Sequence, residues 1–248
     1  MSRQGKIFIG TSGWNYKHWV GIFYPAGIKP AQQLAFYLKH FKTVELNNLF
    51  YHLPPPQTFT NWRKSTPKDF LFAVKASRFI THNKKLNVEK ENINLFLNSA
   101  KRLNEKLGPI LFQLPPKWNI NIERLGSFLK KLPKKYRYTI EFRNQTWYTE
   151  DVYGLLKKYN CAFCIYELAG IQSPKEVTAD FVYIRLHGPT LLKYAGSYSN
   201  KVLKSWSKLC LQWRKEGKDV YVYFDNDQAA YAAFNAQTLL KFSTIRNK

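Results

Sequence analysis

The apolar runs of this chain end in polar residues that a buried strand normally avoids, and that recurrence limits the fold more than any other feature. Gly10-Thr-Ser-Gly-Trp14 closes the first run and Val44-Glu45-Leu46-Asn47 the second. Val74-Lys75, Phe112-Gln113, Ile140-Glu141-Phe142-Arg143, Ile184-Arg185-Leu186-His187 and Tyr223-Phe224-Asp225-Asn226-Asp227 continue the pattern. Strands are expected over Lys6 to Thr11, Thr43 to Asn47, Phe70 to Ala76, Pro109 to Leu114, Tyr136 to Arg143, Cys161 to Glu167, Phe181 to His187 and Val220 to Asp225. Helical spacing fills the intervals: Pro30 to Phe41, Pro56 to Ser65, Val88 to Leu107, Ile122 to Leu132, Glu150 to Tyr159, Lys201 to Glu216 and Gln228 to Phe242. Strands alternating with helices imply a parallel sheet. With this many units in 248 residues, closure into a TIM-type (β/α)8 barrel of the α/β class, one domain over residues 1–248, is favoured over an open doubly wound sheet. In such a barrel all strand C-termini open on one face, so the polar ends gather in one mouth.

Composition narrows the class further. No uncharged stretch approaches the roughly 20 residues a membrane span needs, and the first apolar run is too short for a signal peptide. A cytoplasmic, monomeric protein with no membrane contact is expected. Three cysteines do not form a disulfide framework, and Cys161 and Cys164 sit three apart on an expected strand, facing opposite sides. The 39 basic against 16 acidic residues give a formal charge of +23. A field of that sign attracts anionic partners, either a small molecule or nucleic acid.

Taken together and in order, the runs form a recognisable signature. They are Gly10-Thr-Ser-Gly-Trp-Asn-Tyr16, Phe23-Tyr-Pro25, Val44-Glu-Leu-Asn-Asn-Leu-Phe-Tyr51, Phe72-Ala-Val-Lys-Ala76 with Ile80-Thr-His82, Leu111-Phe-Gln-Leu-Pro-Pro116, Ile140-Glu-Phe-Arg143, Tyr183-Ile-Arg-Leu-His-Gly188 and Tyr221-Val-Tyr-Phe-Asp-Asn-Asp227. The chain resembles the YecE-like family, domain of unknown function 72, across almost its whole length. The resemblance implies a TIM-type barrel and no established reaction. The family pattern near the last strand is Phe-Asn-Asn-Asp, whereas this chain carries Asp225, an added carboxylate.

Residues two apart on a strand share a face, so Glu141 and Arg143 pair off, as do Arg185 with His187 and Glu45 with Asn47. Arg143 and Arg185 suit phosphate through their planar donors, and Lys75 adds a point charge. His187 is the candidate acid or base, with Glu45 or Glu141 as the complementary carboxylate. The substrate-binding set is Lys75, Arg143, Arg185, Gln113, Asn47, Asn226 and Asp227, with Trp14, Tyr16, Tyr194 and Tyr198 as stacking aromatics, while Phe23 and Phe50 are expected to pack. The competing reading makes the internal charges a buried ion-pair network that only satisfies itself. Only His187 among five histidines falls clearly at a strand end, so no metal and no cofactor is expected. The resulting function is binding, with hydrolase or lyase chemistry, of a nucleotide, nucleic acid or phosphorylated metabolite. A non-catalytic nucleic-acid or polyanion-binding barrel is the alternative. A glycoside hydrolase using Glu45 and Glu141 is a minor one. Lys193, Lys201, Lys204 and Lys208 are placed to guide a polyanion, and the basic run Lys130 to Arg137 reads as a solvated face.

Overall fold

In a computed structural model, residues 3–50 and 54–244 are described; Tyr51 and His52 lie outside them. The elements follow in the order β1 (Ile7–Thr11), α1 (Pro30–Tyr37), β2 (Thr43–Leu46), α2 (Pro56–Lys64), β3 (Leu71–Lys75), α3 (Lys90–Ala100), β4 (Leu107–Gln113), α4 (Ile122–Lys131), β5 (Tyr138–Glu141), α5 (Glu150–Lys158), β6 (Cys161–Leu168), β7 (Ile171–Gln172), β8 (Phe181–Leu186), α6 (Asn200–Lys215), β9 (Asp219–Phe224) and α7 (Tyr231–Ser243). Hydrogen-bonded neighbours run β1-β9-β8-β6-β5-β4-β3-β2, with β7 attached to β6 as a short antiparallel flap. The fold is α/β, of the TIM (β/α)8 type. The chain groups into two compact units: residues 1–45, 165–175 and 180–248 form one, and residues 46–164 with 176–179 the other.

In the first unit β1 pairs in parallel with β9 from Ile7 opposite Val220 to Thr11 opposite Phe224, and β9 pairs with β8 from Phe181 opposite Asp219 to Leu186 opposite Phe224. Ser12, one residue past β1, bridges to Glu45 on β2. In the second unit β3, β4 and β5 pair in parallel, and β5 pairs with the first half of β6. Alternation sorts the side chains. One face of each strand carries apolar residues against helices: Phe112 stacks edge-on to Phe128 of α4 at 5.0 Å, and Phe163 to Tyr153 of α5 at 5.6 Å. Burying such aromatic pairs, each worth about 0.5–1.5 kcal/mol beyond area, fixes the helices on the sheet. The other face mixes aromatic and apolar residues such as Phe8, Leu111 and Tyr221 with the charged side chains Lys75, Glu141 and Arg185, and that face positions the functional groups.

Several boundaries differ from the sequence expectation. The helix expected over Val88 to Leu107 stops at Ala100. It continues as a 3-10 segment, Lys101–Lys106, in which Asn104 adopts φ 49 and ψ −120. Apolar spacing carries on through this segment, but Gly108-Pro109 requires an extended chain immediately after, and the backbone must reverse within a few residues. The strand expected from Tyr136 to Arg143 is only Tyr138–Glu141. The helix expected from Gln228 is preceded by a separate turn, in which Ala229 and Ala230 both take left-handed backbone angles before α7 begins. The flap strand β7 has no counterpart among the expected strands, being too short to show alternation.

Candidate functional site

The first unit builds its polar cluster on Arg185, the fifth residue of β8. Its Nε lies 3.1 and 3.0 Å from the two carboxylate oxygens of Glu45, and its Nη2 lies 2.8 Å from Oε1. Nη2 also reaches Asp225 Oδ2 at 2.9 Å and Ser12 Oγ at 3.2 Å, while Nη1 lies 2.9 Å from His187 Nε2. Glu45 further accepts from the Ser12 hydroxyl and, at 2.6 Å, from Tyr183 Oη. Both Arg185 and Glu45 are buried, 1% and 0% exposed. A charge so deep is tolerable only when paired and fully hydrogen-bonded, which this one is.

His187 extends the cluster with a defined tautomer. Its Nδ1 lies 2.9 Å from the Glu167 carbonyl, which can only accept, and its backbone N–H donates to the same oxygen at 3.0 Å. The proton therefore sits on Nδ1, and Nε2 accepts from the Arg185 guanidinium. Asp225 Oδ2 stands 3.5 Å from Nε2. With a 13% exposed side chain, Asp225 is the most accessible member of its contact with Arg185 and His187. Tyr16 donates from its hydroxyl to the Ser12 carbonyl. Burial, reinforced by Asp225, Asp227 and Glu45, pushes its phenol far above the ordinary range, so it stays protonated.

The second unit gathers charge of the opposite sign. Lys75 aligns with Leu111, and Gln113 with Glu141. These registers put Lys75, Gln113 and Glu141 on one face at the ends of β3, β4 and β5, and Arg143, two residues past β5, joins them through Glu141. Glu141 is buried and accepts from Arg143 Nε and, at 3.8 Å, from the Cys164 thiol. The Lys75 ammonium lies 4.3 Å from the centroid of Phe50, whose ring meets that of His82 edge-on at 5.0 Å. His82, on the π-helical turn Phe79–Asn83, has Nδ1 2.9 Å from Thr81 Oγ1. Burial, followed by the charges of Lys75, Arg78 and Arg143, lowers its pKa to about 4, with Glu141 opposing. At neutral pH it is an uncharged imidazole in a positive field.

Of the other residues singled out from sequence, Tyr198 is buried and accepts at its hydroxyl from Gly188 N at 3.1 Å. Tyr194 is exposed, with its ring 5.8 Å from that of His187. The Trp14 carbonyl accepts from Tyr24 Oη. Asn226 is buried and donates to Gly196 O and Asn235 Oδ1 at 2.8 and 2.9 Å. Asp227 stands 3.3 Å from His18, and burial raises its pKa. Asn47 is half-buried just past β2. The geometry adds Ser12, Tyr183 and His82, which sequence reasoning left out of the site. Tyr183 precedes Arg185 by two positions, a parity that would have placed it on the same face.

A family model described as "Protein of unknown function DUF72" matches residues 8–248. The UPF0759 protein YunF of Bacillus subtilis is 26% identical over 271 aligned positions, covering 96% of this chain and 95% of that one. The crystal structure of a DUF72 family protein from Thermotoga maritima superimposes with a TM-score of 0.86 at 29% identity, over 95% of this chain and 98% of that chain. A DUF72 family protein from Enterococcus faecalis shares the fold, with a TM-score of 0.83 at 22% identity over 98% of this chain and 97% of its own. Among the described residues no helix is long and apolar enough to cross a membrane.

Proposed function

The chain belongs to the DUF72 family, and from that footing we propose that the ends of β3, β4 and β5 bind the phosphate group of a nucleotide or phosphorylated metabolite, without an obligatory metal. The observation that carries this reading is the gathering of Lys75, Arg78 and Arg143 around His82, an imidazole held neutral by burial first and by those three cations next, with Glu141 opposing. Such a concentration of positive charge at strand ends is what a phosphate dianion would relieve. In this reading Lys75 is the point charge, Arg143 the planar donor and Gln113 an amide donor beside them. The dianion raises the His82 pKa toward neutrality, where the ring can exchange a proton with the bound ester, as hydrolase or lyase chemistry requires. Glu45 and Arg185 hold each other and orient His187, so the phosphate contact is assigned to the second unit's cations rather than to Arg185. The two-carboxylate hydrolase reading loses ground, because the Glu45 carboxylate is buried and already accepts from Arg185, Ser12 and Tyr183.

Calorimetric titration with inorganic phosphate, AMP and uncharged adenosine tests the proposal. Lys75→Gln removes one cation while leaving the Glu141–Arg143 pair intact. It is expected to weaken phosphate and AMP binding by at least about tenfold, a loss typical of a charge-assisted hydrogen bond, and chelator-treated protein is expected to bind as before. Equal affinity for adenosine and AMP, or no change in the variant, would sink the reading.

A further inference from the structure

A cationic concavity lies at the opposite end of the second unit's strands, where β4 and β5 begin. A cavity of about 470 Å³ is lined by Lys101, Arg102, Asn104, Leu107, Lys135 and Tyr136. Leu107 is the first residue of β4 and Gln113 the last. At about 3.3 Å per residue, six steps put this cavity on the order of 20 Å from the strand-end site. We propose that this groove binds single-stranded nucleic acid.

Three of the six lining residues are cations and none is acidic. Lys101, Arg102 and Lys135 are exposed, and the Lys135 ammonium lies 5.0 Å from the centroid of Tyr136 at the wall. Arg102 adds a planar fork matched to phosphate oxygens. The volume lies within the roughly 300–1,000 Å³ of small-ligand pockets, enough for a nucleotide unit. A single strand can turn a nucleotide into this concavity, whereas a duplex offers it only outer phosphates. The +23 charge of the chain supplies the long-range attraction, and the groove supplies the place where a phosphate is held. The inference is independent of the phosphate site on β3, β4 and β5, with which it shares no residue.

The test is fluorescence polarisation with a labelled oligouridine 12-mer and its duplex with oligoadenosine, across potassium chloride concentrations. Two variants are compared, each lacking three exposed cations: Lys101→Gln/Arg102→Gln/Lys135→Gln in the groove, and Lys201→Gln/Lys204→Gln/Lys208→Gln on α6. The groove variant is expected to bind the single strand at least about tenfold more weakly, and its salt slope to fall by about 2, at roughly 0.7 for each phosphate no longer neutralised. The α6 variant is expected to bind nearly as the wild type, and the duplex more weakly than the single strand. Equal weakening in both variants would reduce the binding to diffuse charge and overturn the proposal. Absence of wild-type binding at low salt, or a duplex preference, would overturn it as well.

Discussion

Every guanidinium nitrogen of Arg185 is engaged inside the protein, by Glu45, Asp225, Ser12 and His187. Removing the charge of one partner strands the other. Glu45→Gln keeps the shape and is expected to cost about 3–5 kcal/mol in urea unfolding, the range for breaking a buried pair. Asp225→Asn, at the partly exposed edge, is expected to cost less, about 1 kcal/mol. His82 gives the complementary residue-scale prediction. Its folded pKa of about 4 lies below the ordinary value of 6.5. Between those values the unfolded chain binds more protons, so stability is expected to rise from pH 4 to 6.5 and to be lost as pH falls through that window. An imidazole NMR titration measures the folded pKa directly. His82→Asn is expected to flatten that part of the stability profile, and added phosphate to move the titration upward.

At the scale of elements, the 3-10 segment Lys101–Lys106 stores backbone strain at Asn104, whose φ of 49 and ψ of −120 suit glycine better than any other residue. Asn104 is exposed, so Asn104→Gly removes little packing and is expected to stabilise the protein by about 1 kcal/mol, read from the thermal midpoint. This strained turn is also where the sequence misleads, because apolar spacing reports which face is buried and not where a backbone reverses. The strands are legible for a physical reason. Phe112 and Phe163 point at helices while Gln113 and Glu141 point away, and that alternation survives in the sequence. The Glu141–Arg143 pair is readable from a two-residue spacing. The Glu45–Arg185 pair, separated by 140 positions, is not, since parity gives the face of a strand but not its register with a distant one. Ser12 and Tyr183 escape notice because a hydroxyl in an apolar run looks the same whether it packs or supports a carboxylate.

For the molecule as a whole, the excess of 39 basic over 16 acidic residues works against its compactness through self-repulsion. Raising sodium chloride from about 50 to 500 mM shortens the Debye length from well over 10 Å to a few ångströms. The melting temperature is therefore expected to rise with salt, and a fall would mean that exposed ion pairs outweigh the repulsion. The pairing of β1 with β9 carries a consequence for how the chain is made. Lys6, beside β1, donates to Asp219, 213 positions later. At roughly 5–20 residues per second on the ribosome, the first strand waits on the order of 10–40 s for its partner to be synthesised. During that interval the first strand has no partner along the edge that β9 later covers, and that edge is open to other chains.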